Sequence, residues 1–436
     1  MSISPFEERY RTEMNDVFDD RAKLRRWMDV EVALAKAHEE LGHIPAGTAE
    51  KIHAAAAKVK FERVLEIEGQ IHHDLMAMVR ALTEQAGDAG KYLHLGATSY
   101  DIEDTATALI FIDGISLLEK RMAALSPILK KLALEHKGTV CIGRTHGQHA
   151  VPTTCGMKFA LYFQELKRSR ERLGEAKRRI SVGKMSGAVG TMATFGKDGP
   201  AMQAIVMREL GLEADPVTNQ VVQRDRHAEV LCDIALAGAL VEKIAKEIRN
   251  LQRTEIGEIC EPFSAKQVGS STMPQKRNPR ATERLCSLAR LLRANTVTAM
   301  ENIALEHERD LTNSANERAI FGESFVCLDY MLLEAMRILE GLVFYPENMK
   351  RNLEFTNGLI MSERIMIFLV ENNRMGRQDA HEAVRQAAQE AFAKGRHMKD
   401  VVLEKKLLSE GEAEAIFDFT TYIGQAKKIV EDAVKD

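Results

Sequence analysis

Residues 230–251 read VLCDIALAGALVEKIAKEIRNL, and the apolar side chains in this stretch recur at alternating steps of four and three residues. The repeating positions are Val230, Ile234, Ala237, Val241, Ile244, Ile248 and Leu251. This spacing places them on one side of a helix that packs lengthwise against other helices. Because the flanking prolines are Pro216 and Pro262, and proline breaks helix interiors, the gap permits a helix of about 35 residues, roughly 50 Å long.

Two further apolar stripes repeat this pattern elsewhere in the chain. One comprises Leu118, Met122, Leu125, Leu129 and Leu132, with Pro127 as an expected kink, and the other comprises Phe159, Phe163, Leu166, Leu173, Ala176 and Ile180. Windows at about 280–305 and 319–341 are also helical in pattern, whereas only GTVCIGRTHG at 138–147 suggests a short extended segment. We therefore predict a mostly α protein built on a central long-helix bundle, and a homo-oligomer whose subunits cover each other's stripes.

The composition argues against several classes of protein. The 436 residues include 60 basic and 64 acidic side chains, and the net charge of -4 gives no electrostatic case for nucleic acid or membrane partners. The sequence contains no run of about 18 apolar residues, so it predicts no transmembrane helix. The start, MSISPFEERYRTEMNDVF, has acidic residues where a signal peptide needs a basic end and an apolar stretch, so we expect a cytoplasmic protein. The six cysteines show no Cys-x-x-Cys spacing, which favours reduced thiols over structural zinc.

Four segments interrupt the helical pattern with polar residues that a connecting loop alone does not require. The first segment supplies His73, Asp74, His94, Thr98 and Ser99, and the second, GRTHGQHAVPTT, supplies Arg144, Thr145, His146 and His149. The third segment, NQVVQRDRHAEV, supplies Gln220, Arg224, Asp225, Arg226 and His227. The fourth segment, AKQVGSSTMPQKRNPRATE at 265–283, supplies Ser270, Ser271, Lys276, Asn278 and Glu283, and it is followed along the chain by Arg309, Ser314 and Arg318. We treat all four as candidate parts of a functional site.

Each segment also has a structural interpretation. His146 and His149 could form a metal pair, but no third ligand is evident, so we predict no metal site and no cofactor. The charges at 224–226 are by default a surface cluster or an ion pair at a helix N-terminus. The GAVG at 187–190 has the spacing of neither nucleotide-binding glycine motif and favours a tight turn.

A surface loop would explain the glycine, serines and prolines of the fourth segment, but not its order of charged and amide residues. Asn278 is a candidate N-cap with Pro279 at the first helical position, which places Glu283 in the first turn. Free amides at a helix start attract anions, and Lys276 adds a positive charge. We therefore expect this segment to stabilise a carboxylate and to help a neighbouring serine lose its proton.

Three of these segments resemble the motif regions of the fumarase/aspartase superfamily, in the same order along the chain. GSSTMPQKRNP is similar to its signature loop, and GRTHGQHA and GATSYDIEDTA are similar to its other two motifs. Within the superfamily, ERYRTEM, HHDLMAMVRAL, QRDRHAEV and HERDLTNSANER look most like the adenylosuccinate lyase family. The resemblance covers essentially the whole chain.

The resemblance implies a three-domain fold and a homotetramer whose active sites are each assembled from three subunits. We expect an N-terminal helical domain at 1–111, the long-helix bundle with the signature loop 265–280 at 112–362, and a C-terminal helical domain at 363–436. The family activity is the elimination of fumarate from adenylosuccinate, which gives AMP, and from succinyl-aminoimidazole carboxamide ribotide. The expected partners are therefore small purine nucleotide substrates.

The resemblance also assigns roles residue by residue. Ser270 resembles the general base, His146 the general acid and Glu283 the carboxylate partner of His146. His73 and His94 resemble groups that bind anions or support the acid, and Gln220 and Asp74 resemble contacts to the scissile bond and to another part of the substrate. The residues that resemble contacts to the succinyl carboxylates are Thr98, Ser99, Ser271, Lys276 and Asn278. The residues that resemble contacts to the nucleotide and its phosphate are Arg9, Tyr10, Arg309, Ser314 and Arg318.

Two other readings stay open at this point. Gln275 stands where this family more often has histidine or tyrosine, and glutamine there resembles argininosuccinate lyases, although Arg277 favours the first family. The chain could thus act on another substituted succinate, in which case Arg309, Ser314 and Arg318 need not line the pocket of Ser270 and His146. A non-catalytic helical scaffold is the alternative from a different class, and it would have no reason to bring Ser270, His146 and His94 together.

Overall fold

The computed structural model describes residues 4–264, 266 and 269–435. Within that part of the chain the α-helices are α1 (Asn15–Phe18), α2 (Asp20–Glu40), α3 (Thr48–Ala56), α4 (Phe61–Ile71), α5 (Asp74–Ala86), α6 (Ser99–Glu135), α7 (Cys155–Ile180), α8 (Gly199–Leu210), α9 (Asp225–Leu251), α10 (Arg280–Glu301), α11 (Ser314–Glu340), α12 (Pro346–Glu354), α13 (Ser362–Glu371), α14 (Arg377–Lys394), α15 (Met398–Glu404), α16 (Glu410–Ile416) and α17 (Ala426–Ala433). The strands are β1 (Val140–Thr145), β2 (Gln148–Thr154), β3 (Val182–Gly183), β4 (Glu213–Ala214), β5 (Ile259–Cys260) and β6 (Val343–Phe344). The predicted mostly α fold is confirmed.

The apolar stripes read from the sequence are buried in the long helices α6, α7 and α9. Every residue of the three stripes belongs to the buried core. Pro127 lies inside α6, which continues through it from Ser99 to Glu135. The extended segment predicted at 138–147 is β1, which pairs antiparallel with β2.

The helix predicted between Pro216 and Pro262 is shorter than the gap allowed, since α9 has 27 residues. Side chains hold the preceding residues in a turned conformation. Asn219 Oδ1 accepts the Val221 N–H at 3.0 Å, and Asp104 Oδ2 accepts the Val222 N–H at 2.7 Å. These backbone amides are therefore satisfied outside a helix, and α9 begins only at Asp225.

The chain forms two compact units. Unit 1 comprises Met1–Met122, Ser169–Ala239 and Ser287–Leu333, and unit 2 comprises Ala123–Arg168, Leu240–Cys286 and Glu334–Asp436. The division of the chain into domains at 1–111, 112–362 and 363–436 stays a prediction.

Long helices pack against one another inside each unit. In unit 1 the ring of Phe111 on α6 lies edge-on to Phe325 on α11, with centroids 5.1 Å apart. Gly238 on α9 lets α10 approach closely, because a Cβ there would lie 2.5 Å from Leu292 Cδ1. In unit 2 Lys158 on α7 bonds to Glu247 on α9 at 2.6 Å. These contacts confirm the long-helix bundle.

Shorter helices bury their apolar faces in separate cores. In unit 1, α2, α3, α4, α5 and α8 share a core around Trp27, Leu34, Leu82 and Met202. In unit 2, α13, α14, α15 and α16 share one around Leu369. No helix among the described residues has both the length and the apolar character needed to cross a membrane. The six cysteines are all free thiols, as predicted.

Candidate active site

His146 lies at the tip of the hairpin formed by β1 and β2 in unit 2. Thr145 pairs with Gln148, so the turn consists of His146 and Gly147 alone, with φ angles of 54° and 74°. A two-residue turn with both φ angles positive follows the twist of the strands, but it is unfavourable for a side chain such as histidine. The hairpin therefore holds His146 exposed in a strained conformation, as is common at functional positions.

A buried ion pair fixes the strand that leads to this tip. The Arg144 guanidinium donates to both oxygens of Glu258, at 3.1 and 2.7 Å. Glu258 also accepts from Asn352 Nδ2 at 2.8 Å. A bidentate pair of this kind restricts the direction as well as the distance of Arg144, and so it supports the end of β1.

His94 has a similar strained backbone, with a φ of 57°, in the loop that precedes α6 in unit 1. Its ring Nδ1 lies 2.7 Å from Glu31 Oε1, and its backbone N–H donates to Glu31 Oε2 at 3.0 Å. Burial by itself would lower the pKa of His94, but the hydrogen bond and negative charge of Glu31 raise that pKa above its ordinary value. The contact with Glu31 therefore favours the protonated ring of His94 over the neutral one.

Thr98 and Ser99 follow in the same loop. The Thr98 N–H donates to Asp101 Oδ2 at 2.8 Å, and Ser99 is the first residue of α6. Asp101 is fully buried, pairs with the buried ammonium of Lys184, and also accepts the N–H of Ser186 at 2.9 Å. This network joins the loop that carries His94 to the glycine-rich loop after β3.

His73 and Asp74 begin α5, and Asp74 forms an ion pair with Arg318. His73 is the N-cap of α5, and its Nδ1 lies 3.8 Å from Asp74 Oδ1. Arg318 Nη2 donates to Asp74 Oδ2 at 2.6 Å. Burial would raise the pKa of Asp74, but the hydrogen bond and charge of Arg318 lower it below its ordinary value. The structure thus brings these three predicted residues together.

A cavity of about 390 Å³ in unit 1 lies next to this ion pair. Its lining includes Ser314, Arg318, Glu103, Asp104, Glu317, Arg224, Lys23 and the rings of Phe18, Trp27, Tyr100, Phe111 and Phe321. Burial, followed by the charges of Asp74 and Asp104, raises the pKa of Glu103 to about 8. The cavity therefore combines cationic side chains with a carboxyl group that is protonated at neutral pH.

Arg224 is a buried structural cation, so the interpretation of 224–226 as a surface charge cluster is wrong for this residue. Arg224 is 3% exposed and donates to both oxygens of Asp104 at 2.9 Å. It also donates to Glu317 at 2.8 and 3.2 Å. Two carboxylates from α6 and α11 thus surround one guanidinium, a long-range arrangement that a local charge pattern cannot reveal.

Gln220 and Arg309 are neighbours in unit 1. Arg309 Nη1 donates to Gln220 Oε1 at 3.0 Å, and its guanidinium lies 3.4 Å from the centroid of the Tyr100 ring. The Nε of Arg309 is buried and has no hydrogen-bond partner within the described part of the chain. A buried cationic donor without a partner is costly, and it is a donor that an anionic ligand could satisfy.

Arg9 and Tyr10 lie near the start of unit 1. Arg9 is exposed, and the ring of Tyr10 packs against Tyr330 with centroids 4.9 Å apart. Tyr10 also lies 5.7 Å from the ring of Phe6, which is buried. These aromatic contacts fix the segment that carries Arg9.

The fourth segment forms a turn around Ser270 in unit 2. Ser270 Oγ accepts the N–H of Thr272 at 3.3 Å and that of Met273 at 3.1 Å. Gly269 is required here, since a Cβ would lie 2.2 Å from the Lys276 carbonyl oxygen. Residues 265, 267 and 268 of the predicted loop 265–280 lie outside the described residues.

The expected N-cap of α10 is wrong. Asn278 Nδ2 donates to the Gly269 carbonyl at 3.0 Å, and α10 begins at Arg280. The buried carboxylate of Glu261 takes the first amides of α10 instead, accepting from Ala281 at 3.2 Å and from Thr282 at 3.0 Å. Because Glu261 accepts these two amides, they are not free for a substrate anion, and the expectation that the segment binds a carboxylate through Lys276 stays a prediction.

The same unit has a basic cavity of about 590 Å³ beneath the turn. Its lining includes Arg249, Arg253, Lys276 and Arg277 with Asn278, Gln252 and Tyr345, and Glu261 is its acidic member. Lys276 and Ser271 are exposed. Glu283 is in the first turn of α10 as predicted, and its Oε1 lies 4.0 Å from Arg249 Nη2. The pairing of Glu283 with His146 stays a prediction.

Sequence reasoning missed four acidic residues that organise these places: Glu31, Asp101, Glu103 and Glu261. Glu31 has a detectable signal, because it lies inside the apolar run VEVALA. The others are ordinary acidic residues in their local context. Among the described residues no group of three or more His, Cys, Asp or Glu side chains is placed to hold a metal ion.

Two family models match the chain. The model described as Lyase covers residues 8–292, and the model described as Adenylosuccinate lyase C-terminus covers residues 358–433. The adenylosuccinate lyase of Pyrococcus abyssi is 52% identical over 100% of this chain and 98% of that protein, and that of Pyrococcus horikoshii is 51% identical over the same shares. The crystal structure of 3-carboxy-cis,cis-muconate lactonizing enzyme from Pseudomonas putida superposes with a TM-score of 0.90 at 32% identity, covering 99% of this chain and 98% of that chain. The chain therefore belongs to the adenylosuccinate lyase family of lyases.

Proposed function

We propose that this protein eliminates fumarate from adenylosuccinate, giving AMP, and from succinyl-aminoimidazole carboxamide ribotide, giving aminoimidazole carboxamide ribotide. The observation that carries the proposal is the 52% identity to the adenylosuccinate lyase of Pyrococcus abyssi over 100% of the chain. In this elimination a base removes a proton beside a carboxylate, and an acid protonates the departing nitrogen. Residues that favour the extra negative charge of the transition state over the substrate accelerate the step.

In the proposed mechanism Ser270 is the general base. Its Oγ already accepts two backbone N–H groups, from Thr272 and Met273. Hydrogen bonds to the charged form of a group favour that form, so these donors would stabilise the serine alkoxide. Lys276 on the same turn, with Asn278, Ser271, Thr98 and Ser99, would bind the succinyl carboxylates.

His146 is the proposed general acid, and Glu283 its carboxylate partner. The exposed position of His146 at a hairpin tip supports this role, because His146 directly follows Thr145, the last residue of β1, and the paired strands hold it in place. A carboxylate beside the ring would favour the imidazolium, which gives its proton to the leaving nitrogen. His94, whose protonated form is favoured by Glu31, would supply a second positive charge to the anionic substrate.

Arg309, Ser314 and Arg318 would bind the phosphate, with Arg9, Tyr10 and His73 beside them. The buried Nε of Arg309, which has no hydrogen-bond partner among the described residues, supports this assignment. Arginine suits phosphate because its planar guanidinium donates two parallel hydrogen bonds. Arg318 donates a hydrogen bond to Asp74 in this structure. Binding of a phosphate to Arg318 would weaken that ion pair and leave Asp74 to accept a hydrogen bond from the ribose or the base. Gln220, held by Arg309, would contact the substrate near the scissile bond.

The proposed assembly is a homotetramer with each active site built from three subunits, and the proposed compartment is the cytoplasm. Long helices in the single chain expose apolar side chains that an assembly would cover. Leu161 on α7, Leu236 on α9 and Val297 on α10 are 50%, 51% and 63% exposed. Sedimentation velocity of the purified protein tests this proposal, since a monomer at micromolar concentration would contradict it.

The activity is tested by mixing purified protein with adenylosuccinate and following the loss of its ultraviolet absorbance. We expect turnover that is abolished in Ser270→Ala and in His146→Ala. Ser116→Ala, an exposed serine on α6, is the matched control and should keep full activity. Full activity of Ser270→Ala would exclude serine as the base. Turnover of another substituted succinate, without turnover of adenylosuccinate, would favour the alternative substrate class.

A further inference from the structure

Glu31 is a buried carboxylate that, among the described residues, makes side-chain hydrogen bonds only to His94. Its side chain is fully shielded from solvent, while that of His94 is 14% exposed. Oε1 lies 2.7 Å from the ring Nδ1, and Oε2 accepts the backbone N–H of the same histidine at 3.0 Å. No lysine or arginine pairs with Glu31 among the described residues. Both carboxylate oxygens of Glu31 therefore contact the same residue, His94.

A buried carboxylate is expensive unless a positive charge compensates for it. The His94 ring is the titratable group that contacts Glu31, and protonation of the ring compensates for the charge of Glu31. The other acidic group that faces His94 is Asp101 of α6, and Lys184 neutralises Asp101 in a buried pair. The local charge balance thus favours one proton on His94 beyond the neutral ring.

The loop that carries His94 is anchored to α2 at two points. Besides Glu31, His38 of α2 contacts the Leu95 carbonyl oxygen through Nε2 at 2.8 Å. The two anchors are seven residues apart on the helix, about 10 Å along its axis. Since Leu95 O only accepts, His38 donates from Nε2. Burial lowers the pKa of His38 and so favours the neutral form of that ring. On the far side of His38, His43 pairs with Asp198 at 3.0 Å.

These contacts leave one ring atom of His94 for a ligand. Nδ1 is taken by Glu31, and Nε2 has no hydrogen-bond partner within the described part of the chain. A protonated ring makes Nε2 a charge-assisted donor with a direction set by the Glu31 contact and by the left-handed backbone at His94. A neutral ring that donated from Nδ1 would instead present a bare nitrogen, which repels anions.

We propose that Glu31 is a positioning residue that keeps the His94 ring protonated and oriented, so that Nε2–H donates to an anionic group of the substrate. This inference rests on the proposed function for the identity of that group, a carboxylate or a phosphate. Glu31 acts only through His94 and does not touch the substrate. It differs from a simple structural support because replacing its charge must change the titration of His94.

The first test does not depend on activity. The protein is labelled with ring ¹⁵N histidine, sedimented and observed by solid-state NMR between pH 5 and 9, with His94→Asn to assign the signal. The expected result is a doubly protonated His94 ring at pH 7.5, where a histidine of ordinary pKa, about 6.5, is mostly neutral. A neutral ring at pH 7.5 in the wild-type protein would overturn the proposal. A failure of the proposed function would leave this result unchanged.

The second test uses Glu31→Gln and Glu31→Asp, with Asp329→Asn as the control. Asp329 is another fully buried carboxylate in an ion pair, with Arg121 at 2.8 Å, and it lies apart from the proposed contacts. We expect Glu31→Gln to lower kcat/KM by about 10- to 100-fold, the usual effect of losing a charged hydrogen bond. The loss of activity at high pH should also begin at a lower pH than in the wild-type protein.

The conservative variant separates charge from packing. Glu31→Asp keeps the negative charge and should restore the wild-type pH profile, even if a shorter side chain lowers the rate. Asp329→Asn should leave the pH profile unchanged. An unchanged pH profile in Glu31→Gln would show that Glu31 serves structure only. Should Glu31→Gln fail to fold, the wild-type NMR titration and the Glu31→Asp profile still decide the question.

Discussion

The substitution Glu103→Gln tests the raised pKa of the Glu103 carboxyl group in the unit 1 cavity. Glu103 lies on α6 with its carboxyl group in the cavity of about 390 Å³. Burial contributes most to its raised pKa of about 8, and Asp74 and Asp104 add to it, whereas Arg318 and Arg309 oppose it. Glutamine has nearly the same shape as the protonated acid, so the variant keeps the packing and removes only the titration.

The sign of the effect follows from where the proton is held. The pKa of an unfolded glutamate is about 4.3, so between about pH 4.5 and pH 8 the folded state binds a proton that the unfolded state has lost. Folding stability from this group therefore falls as pH rises through that window, by at most about 1.4 kcal/mol per pH unit. The total is at most about 5 kcal/mol across the window, and Glu103→Gln abolishes this loss.

The assay is urea unfolding followed by circular dichroism at pH 5, 6.5 and 8. We expect the free energy of unfolding of Glu103→Gln, relative to the wild-type protein, to increase at each step. Comparing the two proteins at each pH cancels the other titrating groups. Glu50→Gln, an exposed glutamate on α3, is the control and should show no such trend. A difference that stays constant from pH 5 to 8 would refute the assignment of a raised pKa to Glu103.

Three further substitutions test the remaining contacts. Arg224→Met leaves the buried carboxylates of Asp104 and Glu317 without their cation. We therefore expect urea titrations to show a free energy of unfolding that is lower by about 3–5 kcal/mol. A loss below about 1 kcal/mol would contradict the buried network. Gly269→Ala places a Cβ within 2.2 Å of the Lys276 carbonyl oxygen. We expect kcat to fall by about 100-fold while the far-UV circular dichroism spectrum stays unchanged. A wild-type kcat in this variant would show that the turn tolerates a side chain. Arg318→Ala should raise KM for adenylosuccinate by about 10- to 100-fold, and a fall in kcat at saturation alone would argue against phosphate binding.

The sequence predictions and the structure agree best where local backbone conformation is decisive. The left-handed φ angles at His94 and His146 occur inside two of the motifs singled out from the sequence. Within the described part of the chain, four of the eight non-glycine residues with positive φ are histidines, a residue type that is enriched in this backbone region. The polar segments were thus correctly recognised as places where the chain departs from the helical pattern.

The errors concern partners that are distant in sequence. Asn278 and Pro279 have the composition of a helix start, yet Glu261, about 20 residues earlier, takes the first amides of α10. Arg224 has charged neighbours in sequence, yet its partners are Asp104 and Glu317, 120 and 93 residues away. A prediction from local sequence assigns the nearest residue of suitable chemistry as the partner. In the folded chain the partner can be any residue whose helix or strand packs against the group.

The periodicity of apolar residues by itself determined the long helices and the faces that they bury. This is possible because a helix repeats every 3.6 residues, so the buried positions can be read from their spacing alone. Only the tertiary structure decided the charge states of the candidate site: which acid compensates His94, which carboxyl group keeps its proton in the cavity, and which helix start is already occupied. Those properties depend on burial and on charges from other elements, and neither is encoded in any local stretch of the chain.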